Sequence, residues 1–449
     1  MTRAAAITGP RILAIALPVV LSNATVPLQG AVDTAIIGNV GSQAALGGVG
    51  IGAAIFSIVF MAFNFLQMGC SGLTAQALGA GDTRRVLNTL ARTLFIGVTI
   101  AATLIALQIP ILALALRFFE SGGETQDAAS LYFSIRIWGA PFELANYALL
   151  GWFTGQEMTR KLFQHQLVTT LSNITLSLIL GMWLGWGLAG VAAATVASSG
   201  IGLTYGLWLA RVQRRRLDAA WRPDWPRILR RDELLKVMAL NRDIFIRTLL
   251  LTLSLAWITR LGAQEGALVL AVNVVLWQFF TVSAYGLDGF AMAAETLVGQ
   301  AKGAGDRAAF RRGAIMTSLW AGALALVISV LFYLCRAPLI GLLTDLPEVR
   351  AAAMIYVPWA ALMPVVGFAA YQLDGIFVGA TASGAMRNAM ILSAGVFFPL
   401  SVWLAGAFGN HGIWAAVHAM FVLRAGTLLL AYPRIDSGIL PARQGTPSN

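Results

Sequence analysis

Charge is what this sequence has least of. Only 11% of its 449 residues are Asp, Glu, Lys or Arg, against about a quarter in a soluble globular domain. With 58% hydrophobic residues and a mean hydropathy of +0.75, the chain reads as a polytopic membrane protein. Cysteine is scarce too. Cys70 and Cys335 stand alone in separate apolar runs, which excludes a disulfide framework and a thiolate metal site. The three histidines, His165, His411 and His418, show no ligand spacing. Two Gly-Ala-Gly-Asp loops look like phosphate cradles but lack the Lys-Ser/Thr that completes a P-loop. ATP is therefore not the energy source within this chain. Paired acids for a metal–diphosphate, or a His/Asp pair on one face, are also missing, which argues against an intramembrane transferase. A channel would need repeated charges ringing a pore. No cofactor or metal is implied.

Twelve apolar segments are present, at roughly 12–38, 45–74, 90–116, 130–155, 163–186, 188–210, 237–261, 267–298, 313–343, 351–380, 386–407 and 412–432. Each is long enough to cross a hydrocarbon core of about 30 Å as a helix. The start of the chain shows no cleavage site after a short apolar core, so the first span is expected to be retained. Basic residues fall in alternate connections. Arg84, Arg85 and Arg92, then Arg160 and Lys161, then the run from Arg211 to Lys236 lie on one side, followed by Lys302, Arg307, Arg311, Arg312, Arg387, Arg434 and Arg443. The opposite loops are neutral or carry acids: Glu120, Glu124 and Asp127, then Asp345 and Glu348. This is the positive-inside pattern, and it places both termini in the cytoplasm. The net charge of +11 then belongs to anionic headgroups rather than to nucleic acid, with the basic linker lying along the membrane surface.

The chain also repeats itself. Gln76-Ala-Leu-Gly-Ala-Gly-Asp82 recurs as Gln300-Ala-Lys-Gly-Ala-Gly-Asp306, a displacement of 224 residues. The same displacement carries Leu46 onto Leu270, Asn64 onto Asp288, Tyr147 onto Tyr371, Gly151 onto Gly375 and Gly155 onto Gly379. A shared displacement at separated places indicates duplication of a six-span unit. The expected architecture is all-α, with twelve transmembrane helices in two pseudo-symmetric six-helix lobes around a central cleft. The lobes are expected at 1–210 and 237–449, joined by the basic cytoplasmic linker 211–236.

Acids inside the spans are costly, about 2.5–3.5 kcal/mol each at a helix centre, and mark functional positions. Asp33 is the acid of the first span, downstream of Pro18 and Pro27, which predispose that helix to bend. Asn173 and Ser177, four residues apart in span five, share a face from which they can hydrogen-bond a carboxyl group. Glu143 is a second titratable candidate, or else an interfacial partner of Arg136 seven residues earlier. Asp288 and Asp374 are the intramembrane acids of the second half, and Glu295 lies nearer a span end.

The stretches VDTAIIGNVG (32–41), GWFTGQ (151–156), NRDIFIRTL (241–249), YGLDGFAMAAETLVGQA (285–301) and LDGIFVGATASGAMRN (373–388) together resemble the multidrug and toxic compound extrusion (MATE) family. The match is to its DinF-like branch, from Ile12 to about Tyr432. The resemblance implies secondary active export of small amphipathic or cationic compounds from the bacterial inner membrane by alternating access. It matches Asp33 to the family's first-helix proton site and Pro18 to the proline where that helix bends. Tyr132, Asn173 and Thr195 match polar residues lining the N-lobe cavity. Ser177 stands where many members carry a second N-lobe aspartate. Asp374 matches the tenth-helix acid used for cation coupling in sodium-driven relatives, but Asp243 lies at the cytoplasmic end of span seven rather than beside it. The implied coupling ion is therefore H+ rather than Na+, with the protein acting as a monomer. The alternatives are sodium-coupled export and a lipid-linked precursor flippase of related architecture; the latter would want a cationic cavity.

Overall fold

A computed structural model describes residues 6–40, 43–118 and 123–439. Glu120 and Arg443, used above for orientation, lie outside the described residues. The described residues are helical almost throughout. The first half holds α1 (Gly9–Val40), α2 (Gln43–Ala62), α3 (Phe65–Gly79), α4 (Thr83–Ala106), α5 (Gln108–Phe118), α6 (Gly123–Arg136), α7 (Ala140–Gly155), α8 (Thr159–Leu176) and α9 (Gly187–Leu217). A short α10 (Trp225–Ile228) lies in the linker. The second half holds α11 (Arg231–Gln264), α12 (Ala267–Gly303), α13 (Arg307–Leu334), α14 (Arg336–Leu343), α15 (Pro347–Gly379), α16 (Ser383–Phe408) and α17 (Asn410–Ser437).

Among the described residues, eleven helical stretches are long and apolar enough to span a membrane. The twelfth, span four, is interrupted. A 3-10 turn at Ile137–Gly139 separates α6 from α7, and Pro141 occupies the first turn of α7. Proline has no N–H to continue the helix behind it, so one apolar segment becomes two helices. Span five is also irregular. From Ser177 to Trp183 it widens to a π-helix, a form that concentrates at functional positions.

The duplication is visible in the packing. A Cβ placed on Gly151 would meet the Gln67 carbonyl oxygen at 2.2 Å, and one on Gly375 would meet that of Ala291 at 2.1 Å. Both pairs are 224 residues apart, residue for residue. Only glycine permits so close a helix approach, so the same crossing was fixed twice by the same residue. The Gly-Ala-Gly-Asp loops are matched helix junctions. Gly81 (φ +73°) and Gly305 (φ +68°) take the left-handed conformation. Asp82 and Asp306 then cap α4 and α13, accepting from Arg85 N and Ala309 N at 2.8 Å each. Even a strained turn recurs: Glu157 (φ 61°) and Thr381 (φ 51°) occupy equivalent positions. One difference stands out. Span two breaks between Ala62 and Phe65, whereas its counterpart α12 runs unbroken through Asp288.

The chain divides into two compact units, one of Leu21–Leu78 and Asp82–Val237, the other of Met1–Val20, Gly79–Gly81 and Met238–Asn449. In the first, Trp152 is fully buried and donates from Nε1 to Val86 O at 2.9 Å, while Phe56 stacks on Phe133. In the second, Ile12, Ile15 and Ala16 of α1 pack with Phe290, Ala293 and Leu297 of α12. The division falls inside α1, just after Pro18. The linker belongs to the first unit and is fastened to α4. Arg92 donates to Ile228 O at 2.8 Å and to Glu233 at 3.3 Å, and Trp221 Nε1 donates to Asn88 Oδ1 at 3.0 Å. Arg211, Arg215, Arg216, Arg222, Arg227, Arg230 and Arg231 stay exposed, with Arg230 paired to Asp232.

Candidate functional site

In the first unit the polar groups of spans one, four, five and six converge. Ser177 Oγ donates to Asp33 Oδ1 at 2.8 Å. One turn earlier on α8, Asn173 Nδ2 donates to Thr195 Oγ1 at 3.2 Å. Ser177 and Asn173 are fully buried, while Asp33 is partly exposed. Thr195 lines a small cleft shared with Phe60, Arg136, Gly139, Glu143, Val196 and Ser199. Tyr132 is buried beside it, its hydroxyl accepting from Arg136 Nη1 at 3.1 Å. The Arg136 guanidinium lies 4.8 Å from the Phe56 ring centre and 5.6 Å from that of Tyr132.

Arg136 and Glu143 face one cleft but form no ion pair among the described residues. Glu143 instead accepts from Ser199 Oγ at 3.0 Å. Ser199 O in turn accepts from Asn146 Nδ2 at 3.0 Å, and Asn146 Oδ1 meets His165 Nε2 at 3.1 Å. Pro18 sits within continuous helix, partly buried.

In the second unit Asp374 is buried and held by two guanidinium groups, those of Arg247 and Arg424, both of which reach Oδ2. Asp288 and Tyr371 lie within electrostatic reach of Arg247. Two acids thus stand with two bases. A hard metal cation is held by several oxygen ligands, whereas Asp374 is met by N–H donors. Asp243 is occupied elsewhere, accepting from Ser383 Oγ at 3.2 Å and Arg387 Nη1 at 2.8 Å. Glu295 is buried on α12 where Gly379 crosses it.

Sequence reading missed Arg247 and Arg424 as partners of Asp374, and the Ser199–Asn146–His165 chain behind Glu143. A signal for the first existed. Arg424 is the lone charge inside the last apolar run, and an intramembrane arginine calls for an acid.

These features define a secondary transporter built on two copies of one six-span unit, with titratable side chains inside the spans. The family model MatE matches the chain twice, over residues 18–179 and 244–403, and the chain belongs to that family of membrane transporters; it is not an enzyme. It is 38% identical over 433 residues to DNA damage-inducible protein F of Escherichia coli (strain K12), covering 94% of this chain and 91% of that protein. It is 27% identical to "Probable multidrug resistance protein NorM" of Bradyrhizobium diazoefficiens, covering 94% and 92%. A solved structure of MATE in the bent conformation superimposes with a TM-score of 0.86 at 18% identity, covering 95% of each chain.

Proposed function

We propose that this transporter exports small amphipathic or cationic compounds from the bacterial cytoplasm in exchange for protons, with Asp33 as the coupling group. The observation that carries this reading is the contrast between the two intramembrane acids. Asp33 has one neutral hydrogen-bond donor, Ser177, whereas Asp374 is already neutralised by Arg247 and Arg424. Taking a carboxylate out of water favours its protonated form, so a lightly held acid can exchange protons. An acid clamped by two guanidiniums is poorly placed to do so.

The cycle follows from alternating access. Facing outward, Asp33 takes a proton as substrate leaves the cavity of Tyr132, Asn173, Ser177 and Thr195. The first helix then bends at Pro18, beside the point where α1 passes between the two compact units. Deprotonation toward the cytoplasm resets the site. The positive-inside distribution supports an inner-membrane orientation with both termini cytoplasmic. The relatives named for multidrug resistance support a small-molecule cargo.

Two other readings remain distinct. Sodium coupling would use Asp288 and Asp374, and the guanidiniums beside them count against it. A lipid-linked precursor flippase would want surplus buried positive charge, and the mid-span acids at least equal the bases.

Purified protein in liposomes, given ethidium and either a proton or a sodium gradient, separates the three. Proton-driven movement is the expected result. Movement driven only by sodium, and lost in Asp374→Asn, would transfer coupling to the second half. No movement under either gradient would redirect attention to lipid-linked substrates.

A further inference from the structure

A second concavity in the first unit lies away from its acids. Thr195 and Ser199 of α9 turn to the polar cleft. Farther round the same helix, Ala197, Ile201, Thr204 and Trp208 line an open groove of about 800 Å³, walled by Phe142 of α7 and Val168 of α8. Gly200 leaves room for it: a Cβ there would already reach the Phe142 ring at 3.7 Å. Tyr205 stacks on Trp208 with ring centres 5.7 Å apart, and Ile201 and Trp208 are exposed. From Ala197 to Trp208 the helix rises about 17 Å. That is close to half of a hydrocarbon core about 30 Å thick, the depth of one leaflet.

Positive charge collects at one end of the groove. Seven residues make nearly two full turns of helix, so Arg215 continues the face of Ile201 and Trp208, and Arg211 that of Thr204. On α8, Lys161 lies on the face of Val168 by the same spacing. The ends of the two helices are held together. Gln213 Nε2 donates to Gln156 Oε1 at 3.2 Å, and Arg216 is within electrostatic reach of Lys161. Nearby groups are engaged elsewhere: Asp218 faces Arg84 at 3.5 Å, and Arg214 donates to Trp221 O at 2.9 Å. Glu157 lies in the turn ahead of α8. Among the described residues, Lys161, Arg211, Arg215 and Arg216 close no ion pair, so the mouth keeps a surplus of positive charge even with Glu157 beside it.

We propose that this groove and its basic mouth bind one anionic phospholipid. An acyl chain lies along Ile201, Thr204 and Trp208, and the phosphate meets Lys161, Arg211, Arg215 and Arg216. The lipid supplies the counter-charge that the chain itself does not. A guanidinium fork suits a phosphate because its donors pair with two oxygens at once. A zwitterionic lipid would fill the groove equally well but bring its own cation to a mouth already positive. Basic pockets between spanning helices take anionic headgroups on the cytoplasmic side, and in the orientation proposed above this mouth is cytoplasmic. A lipid held there braces α7, α8 and α9 against one another. The site is independent of which ion drives transport.

The full chain in detergent micelles, titrated with dioleoyl phosphatidylglycerol and followed by native mass spectrometry, counts the lipids bound. One saturating lipid per chain is expected, with dioleoyl phosphatidylcholine about tenfold weaker or more. Lys161→Gln combined with Arg215→Gln should weaken phosphatidylglycerol about thirtyfold, at about fivefold for each base. Ala197→Phe fills the groove and leaves every charge in place, and it too should abolish tight binding. Tight binding retained in folded Ala197→Phe, or equal affinity for the two lipids, would mean diffuse attraction to the surface and overturn the site. Displacement by glycerol 3-phosphate would assign the mouth to a soluble phosphate and overturn the lipid. The comparison of the two lipids on the wild type decides the matter even if a variant does not fold.

Discussion

Ser177 donates a 2.8 Å hydrogen bond to Asp33, and the positions 224 residues further on repeat the contact with other chemistry. There Trp257 Nε1 donates to Ser401 Oγ at 3.1 Å. The same two spans meet in each half through the same serine. In the first half the partner is a carboxyl group that can gain and lose a proton. In the second it is an indole that can only donate. Duplication supplied the frame, and divergence at one position put a carboxyl group in one half and an indole in the other.

The serine pair separates structural from functional weight. Ser401→Ala should cost about 0.6–1 kcal/mol of stability and leave the pH dependence of export unchanged. Ser177→Ala removes the hydroxyl that donates to Asp33 and should alter the pH dependence of export. Export measured across a pH series in liposomes checks both.

Gly151 and Gly375 should be equally intolerant of a side chain. A methyl group at either would press on a helix carbonyl oxygen, at 2.2 Å from Gln67 and 2.1 Å from Ala291. Overpacking of that kind costs about 1–3 kcal/mol. Gly151→Ala and Gly375→Ala should lower the unfolding temperature in detergent by similar amounts. Gly50→Ala, where a Cβ meets nothing within 4 Å, should not.

The Arg247–Asp374–Arg424 cluster should behave as a structural unit. Asp374→Asn removes the carboxylate that two buried guanidiniums share, and losing one partner of a buried pair costs about 3–5 kcal/mol. That variant should unfold at a clearly lower temperature than Asp33→Asn. Replacing potassium with sodium should not raise the unfolding temperature of the wild type.

The linker clamp predicts a proteolytic signature. Arg92→Ala loses the bonds to Ile228 O and Glu233, and Trp221→Ala loses that to Asn88. Either should speed tryptic cleavage at Arg227, with the transmembrane fragments left intact.

The architecture was legible because spanning helices are written in hydropathy and the duplication in a constant displacement. Helix breaks were less so. The twelve apolar runs gave no warning of the π-helical turn at Ser177, which depends on how span five packs. Pro141 alone hinted that span four would divide. Within the site, the Asn173–Ser177 face pointed toward a carboxyl group from sequence spacing. The partners of Asp374 did not, because Arg247 and Arg424 lie 127 and 50 residues from it. Only the fold brings three such distant charges together.

The central claim is that Asp33 carries the exchanged proton, and substrate-evoked proton movement tests it most directly. Liposomes holding a pH-sensitive dye would receive ethidium with wild-type protein or with Asp33→Asn, each confirmed folded by its unfolding transition. The account predicts that ethidium moves protons through the wild type and none through the variant. Equal proton movement through folded Asp33→Asn would contradict it.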